Sequence, residues 1–429
     1  MRRVVVTGLG AVTPVGNDVQ TTWDSLINGR SGIDFIKKFD TSDLKVTIAA
    51  EVKDFDATQY IEKRELRKTD LFTQYAVAAA AQAVSDSGID GKIDPDRFGV
   101  YVGAGIGGVQ TFFNNCNNME QQGPKKVSPF FVPMMIGNMA SGTIAIKQNA
   151  KGVCLPIVTA CATGTHSIGE AFHAIAGGYA DAIIAGGAEA AINRLSIAGF
   201  SNIMALSTRN DPKTASIPFD KRRDGFVIGE GAGIVILEDY EHAKQRGAKI
   251  YAEICGYGNT CDAYHVTAPE PDGDGAARAV AIAAKEAGVG DNDKIYINAH
   301  GTSTPPNDKV ETMAFKRVFG QQRARELYIS STKSMTGHML GAAGGAEAVI
   351  CAKALESGVL PPTIGYEVPD EDCDLNYIPN KAAEQKVDYA MSTSLGFGGH
   401  NACIVFKKMC GLKPPDSISS KRGVNNANV

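Results

Sequence analysis

Excess charge of either sign is missing from this 429-residue chain. Its 43 Lys and Arg against 47 Asp and Glu leave a net charge of −4, which does not suggest a nucleic-acid binder. Long apolar runs are missing too: no stretch reaches the roughly 18 residues that would predict a membrane span. The opening MRRVVVTGLG has two basic residues but only three apolar ones before a turn, too few for the core of an export signal. Paired cysteines are also lacking. The nine cysteines stand at 116, 154, 161, 255, 261, 351, 373, 403 and 410 with no CxxC among them, which argues against a zinc ribbon or a thioredoxin-like motif. An odd count without a secretion signal predicts reduced thiols in a cytoplasmic compartment. No metal or cofactor is expected.

Glycine, by contrast, is abundant at 47 residues. Much of it clusters in GLG, GAGIGG, AGG, GEGAG, GAAGG and GFGG, as in backbone turns that need positive φ or close approach. Strand-like runs alternate with longer helix-like runs, which predicts an α/β fold with largely parallel strands. The second half echoes the first. VVVTGLG (4–10) resembles AEICGYG (252–258), and FGVYVGAGIGG (98–108) resembles IYINAHGTST (295–304). LPIVTACATGTHSIGEAFHAI (155–175) matches LYISSTKSMTGHMLGAAGGAEAVI (327–350), and DAIIAGGAEAA (181–191) matches YAMSTSLGFGGHNACIVF (389–406). Two related halves, 1–250 and 251–408, are therefore expected to pack about a pseudo-dyad, so that strand ends from both converge on one site. Segments 36–72 and 109–139 look like additions, and 409–429 reads as a disordered tail.

Three turns carry the chemistry. Cys161 sits in VTACATGTHSIG, His300 in INAHGTSTPPND and His338 in STKSMTGHMLGAAGG. Cys161 lies between a predicted strand, LPIVTA, and a predicted helix from about Gly164, where a helix N-terminus lowers a thiol pKa from ~8.5 toward ~7. Its own N–H and that of Phe397, in the flexible SLGFGGHNA loop, could form an oxyanion hole. The two histidines lack metal-ligand spacing. Two neutral imidazoles donating to one carbonyl would instead stabilise an enolate. Lys333 is a candidate cation that disfavours imidazolium, and Glu347 could balance it. His166, five residues after Cys161, and His400, in the glycine loop, are candidate neighbours of the site. GAGIGG matches G-x-G-x-x-G but lacks the acidic partner of a dinucleotide site; Ile106 within it could border an apolar pocket.

Together these four motifs, with ASIPFDKRRDG and RRDGFVIGEGAG, closely resemble the β-ketoacyl-acyl-carrier-protein synthases, the type II condensing enzymes of the thiolase superfamily, over residues 2–408. The resemblance implies a thiolase-like fold of two βαβαβ halves in αβαβα layers, a homodimer and fatty-acid elongation without metal or cofactor. It implies Cys161 as the acylated nucleophile, His300 and His338 as ligands of the malonyl thioester, Lys333 beside them and Phe397 as a gate. Thr302 and Thr304 would hold the pantetheine arm, and Ile106 would border the acyl pocket. Apart from the resemblance, His400 is expected at the substrate pocket from its place in the glycine loop, with Glu347 and Asp308 as supporting groups. Arg64, Arg67, Lys68, Lys125 and Lys126 would meet an acidic acyl carrier protein, although Met204 stands where some relatives carry an arginine. A polyketide ketosynthase shares the same motifs. A thiolase would want a second cysteine in the last glycine loop, where GFGGHNA has none.

Overall fold

The computed structural model describes residues 1–409; Cys410 and all but the first residue of the expected tail lie outside the described residues. Nine strands form the main sheet: β1 Val4–Val12, β2 Phe98–Gly103, β3 Ala182–Glu189, β4 Gly231–Asp239, β5 Ala252–Cys261, β6 Ile295–Asn298, β7 Tyr328–Ser330, β8 Tyr389–Gly396 and β9 His400–Lys407. Their spatial order is β2-β3-β4-β1-β5-β9-β8-β6-β7. Beyond β2 the segment around Cys154 joins by a single parallel bridge to Val100. Counting that segment, each half has its strands in the same order and the same relative directions, and the halves meet where β1 pairs antiparallel with β5.

The chain is less parallel than its α/β alternation predicts. Five of the eight neighbouring pairs are antiparallel and three are parallel. The reason is local. β8 and β9 are joined by only Phe397–Gly399, and so short a link can build only a hairpin. LPIVTA is likewise not a strand; beyond the Cys154 bridge it runs as an irregular edge.

Alternation along the strands sorts side chains into three apolar layers. Ile183, Val235 and Ile404 face the middle one. It is filled by helices α3 Thr163–Ala176 and α6 Ala343–Ser357, both of which pack on strands of both halves. Ile184, Ile234 and Ile236 face α1 Leu71–Ser87 on one outside. Ile297 and Val405 face α4 Asp274–Ala287 and α5 Pro305–Phe319 on the other. The result is the αβαβα arrangement of a thiolase-like fold. The additions are ordered. Segment 36–72 holds a short helix, Lys63–Leu66, and segment 109–139 holds helix α2 Val109–Gln122 and a short helix, Phe131–Met135. Among the described residues no helix is long and apolar enough to cross a membrane.

Candidate active site

Both halves deliver their strand ends to one cavity of about 250 Å³, lined by Cys161, His300, His338, Thr302, Thr304 and Phe397 together with Phe200, Phe226 and Met204. Cys161 stands in a tight turn, Ala160–Ala162, that opens α3. Ala160 holds φ at 51°, a left-handed conformation that costs a non-glycine residue roughly 1–2 kcal/mol. The Thr163 hydroxyl accepts from Thr159 N at 2.9 Å, and the Thr159 hydroxyl bonds His166 Nδ1 at 2.7 Å, fixing the turn from below.

The backbone amides of Cys161 and Phe397 both face the sulfur. They come this close because Gly396 passes against the turn: a Cβ there would lie 2.7 Å from Thr159 O and 3.3 Å from Cys161 N. Gly398 and Gly399, with φ of 87° and 76°, complete the hairpin in conformations other residues rarely adopt. The thiol itself departs from expectation. Burial pushes it up to about 12, against the opposing pull of Lys333 and the two amides. A helix N-terminus lowers a thiol pKa only where the charge is hydrated or paired, and here desolvation is the larger effect.

His300 and His338 are 3% and 2% exposed, with ring centroids 5.2 Å apart and planes nearly perpendicular. Neither Nδ1 has a hydrogen-bond partner among the described residues. Burial, then the Lys333 charge, holds both imidazoles well below their ordinary pKa, so both are neutral near pH 7. Lys333 does not line the cavity. Its ammonium is buried in an ion pair with Glu347, whose other oxygen accepts from Ser392 Oγ at 3.3 Å. Its ammonium thus stands behind the cavity, and its charge still reaches both rings.

The His300 turn is tied from beneath. Glu311, on α5, accepts from the N–H groups of His300 and Gly301 at 2.7 and 2.8 Å, and from Thr393 Oγ1 at 2.6 Å. Asp308 accepts from Phe219 N at 2.8 Å and Ser303 N at 3.2 Å and pairs with Arg223. The His338 turn is pinned by Val227 O, which accepts from His338 N at 2.7 Å, and by the Phe226 ring, 5.2 Å away edge-on. These are residues of RRDGFVIGEGAG. Thr302 and Thr304 line the mouth with their hydroxyls 2.9 Å apart.

Two expected pocket residues lie elsewhere. Ile106 does not line the cavity; its side chain is 43% exposed while its amide bonds Glu189. His400 does not line it either. It begins β9, where side chains alternate, so Gly399 and Asn401 face the cavity while His400 lies against His166. His166 is buried below the turn without reaching the cavity. Arg64, Arg67, Lys68, Lys125 and Lys126 are all exposed and none lines the cavity. Arg64 pairs with Glu62 and Lys68 with Glu65, and Lys68 stands 5.6 Å over the Phe130 ring, so the two added segments touch. Glu311 and Glu189 were missed from sequence. Glu311 had a faint signal as the acid on the helix that follows HGTST; Glu189, ending an apolar strand, had none.

Residues 1–243 match the family described as "Beta-ketoacyl synthase, N-terminal domain" and residues 251–367 the one described as "Beta-ketoacyl synthase, C-terminal domain". The chain is 52% identical over 408 residues to the 3-oxoacyl-[acyl-carrier-protein] synthase 2 of Staphylococcus aureus (strain COL), covering 95% of this chain and 98% of the relative. It is 52% identical over 409 residues to that of Synechocystis sp., with the same coverage. Among solved structures, the ishigamide ketosynthase/chain length factor superposes with a TM-score of 0.89 at 36% identity, covering 95% of this chain and 99% of that one. A type II PKS acyl-carrier protein in complex with its ketosynthase gives 0.87 at 37% identity, again covering 95% and 99%. With both domain families matched in order across most of its length, the chain belongs to the β-ketoacyl synthase family.

Proposed function

We propose that the chain is a 3-oxoacyl-acyl-carrier-protein synthase that elongates fatty acyl chains by decarboxylative Claisen condensation. One observation carries this: a buried thiol faced by two backbone amides shares a cavity with two neutral imidazoles whose Nδ1 atoms have no hydrogen-bond partner among the described residues. In the first half-reaction the Cys161 sulfur attacks the acyl thioester carbonyl. The oxygen takes up negative charge and is held by the N–H groups of Cys161 and Phe397, and the carrier thiol leaves with the proton lost from Cys161. In the second, His300 and His338 donate hydrogen bonds to the thioester carbonyl of malonyl carrier. The malonyl carboxylate leaves as CO₂, and the electron pair of the broken bond becomes an enolate on that carbonyl. Its carbon attacks the acyl-Cys161 carbonyl; the new carbon–carbon bond forms, and the Cys161 thiolate leaves. The product is a β-ketoacyl carrier two carbons longer.

Thr302 and Thr304 at the mouth suit the amide-bearing pantetheine arm, and the five basic residues on the added segments suit an acidic acyl carrier protein. A homodimer is supported by the sheet edge around Cys154. One side of it meets β2, while Leu155 and Val158 stand 53% and 58% exposed, an apolar edge of the kind proteins normally cover. Nine cysteines with the eight described ones unpaired suit a reducing cytoplasm. A polyketide ketosynthase is the second reading, favoured by the type II PKS ketosynthase at 37% identity and opposed by the 52% identity to 3-oxoacyl-[acyl-carrier-protein] synthases. Intact mass after incubation with acyl carrier protein tests the reaction: one acyl adduct, absent in Cys161→Ala, is expected, and an adduct that persists in that variant refutes the assignment.

A further inference from the structure

The first half of the chain carries a twin of the active site, and the protein fills it with its own carboxylate. The two halves correspond residue by residue. β3 pairs with β4 from Ala182↔Glu238 to Glu189↔Gly231, and β8 pairs with β9 over the same eight steps, from Tyr389↔Lys407 to Gly396↔His400. On the other side Ala182 faces Phe98 and Tyr389 faces Ile295. In this register Glu189 is the counterpart of Gly396, and Gly103 of His300. The turns Ala160–Ala162 and Leu340–Ala342 open α3 and α6, and their first residues share a left-handed backbone, with φ of 51° and 48°. Gly341 is therefore the counterpart of Cys161.

In the active site the amide of Cys161 faces its own sulfur. In the twin, Gly341 N donates to Glu189 Oε2 at 3.1 Å, joined by Gly105 N at 2.8 Å and, on Oε1, Ile106 N at 3.2 Å. Glu189 is fully buried and, among the described residues, forms no ion pair. Burial accordingly pushes its carboxyl up to about 7 despite the amides. The fit is close: a Cβ on Gly105 or Gly341 would lie 2.8 or 2.9 Å from Oε2. The clamped loops abut both catalytic turns. A Cβ on Gly105 would also lie 3.2 Å from Ala160 O, and Gly341 O lies 3.0 Å from where Gly164 would carry one. Gly341 follows His338 by three residues.

We propose that Glu189 is a positioning residue for the condensation, tying loop 104–106 to turn 340–342 and so holding the Cys161 and His338 turns in register. This rests on the roles given above to Cys161 and His338. Glu189→Gln keeps the size but turns an NH₂ toward backbone donors; Glu189→Gly leaves a space roomy enough to admit formate beside the same amides. Acylation of Cys161 and decarboxylation of malonyl carrier are measured separately, alongside thermal melting. Both half-reactions are expected to fall about 10- to 100-fold in each variant, the scale of a small misplacement of reacting groups. Sodium formate should restore Glu189→Gly severalfold where formamide and sodium chloride do not. Half-reactions unchanged per folded molecule, with only the melting temperature lowered and no response to formate, overturn the proposal. If Glu189→Gly does not fold, the two half-reactions of Glu189→Gln decide. Wild-type protein separates the premises: no acylation at Cys161 refutes the proposed reaction, whereas normal acylation with Glu189→Gln unimpaired refutes only the role of Glu189.

Discussion

At the scale of single residues, the site divides its chemistry between charge that is present and charge that must develop. Cys161 is held as a neutral thiol by burial, so the two amides facing it gain most when negative charge appears on sulfur or on the acyl oxygen. Cys161→Ser should abolish condensation, because an alcohol ionises far less readily than a thiol. Cys161→Gln should retain malonyl decarboxylation, since both imidazoles remain; CO₂ release assayed without acyl donor checks this, and a decarboxylation-dead glutamine variant contradicts the division of roles. His300→Ala and His338→Ala should each slow decarboxylation by ~10²–10³-fold, the usual loss for one oxyanion donor, while acylation of Cys161 stays measurable by mass. The charge of Lys333 depresses both imidazoles. Removing it in Lys333→Ala raises their pKa, so the acid limb of decarboxylation should move to higher pH. A pH profile identical to that of wild type would exclude the electrostatic role.

At the scale of elements, helices α3 and α6 are pressed between the two halves of the nine-stranded sheet, and glycines allow the approach. A Cβ on Gly345 would lie 2.1 Å from Gly233 O, across the interface between α6 and β4. Neither backbone can yield without shifting an element, so Gly345→Ala should destabilise the fold by about 1–3 kcal/mol, read as a lower urea midpoint at unchanged m. A midpoint within error of wild type would mean the helix tilts freely, and the rigid-sandwich account would fail. The same buried elements make stability depend on pH. His300 and His338 have folded pKa values below those of the unfolded chain. The stability they protect is present above about pH 6.5 and is lost as pH falls below it, because only the unfolded state then takes up protons. The His300→Gln/His338→Gln protein should lose less stability than wild type between pH 6.5 and 5, followed by urea melts; equal losses would point to other groups.

At the scale of the whole molecule, a chain of net charge −4 still presents five exposed cations on two segments that touch each other. Two of them are already paired with Glu62 and Glu65, which leaves Arg67, Lys125 and Lys126 as the freer charges. An acidic partner docking there should be steered by them, and steering is screened beyond ~8 Å at physiological salt. The KM for carrier substrate should therefore rise with ionic strength, and Arg67→Glu/Lys68→Glu should raise it further without altering reactivity of Cys161 toward a small alkylating agent. Carrier kinetics indifferent to both salt and reversal would show the patch to be a solvated face.

Period and punctuation made much of this legible in the chain itself. The repeated strand–glycine-turn units predicted two related halves, and the three turns bearing Cys161, His300 and His338 predicted one shared cavity, because strand ends and reactive side chains are local features. Directions of pairing were not legible. A three-residue hairpin at Phe397–Gly399 outweighs α/β alternation, and only assembly shows which strands become neighbours. Nor was the balance at Cys161: a helix terminus can be read from sequence, but the desolvation that overrides it depends on what covers the sulfur. Ile106 and His400 belong to glycine loops whose sequence says nothing of which way each side chain turns: Ile106 stands at the surface, and the pleat of β9 sets His400 against His166. Glu189 and Glu311 gave little sign in the chain because a carboxylate acquires its role from the amides brought to it by distant segments. The sequence by itself determined which chemical groups were available and at which strand ends they stood; tertiary structure alone decided their burial, their partners and hence their charge, since desolvation and hydrogen bonding are properties of the assembled interior.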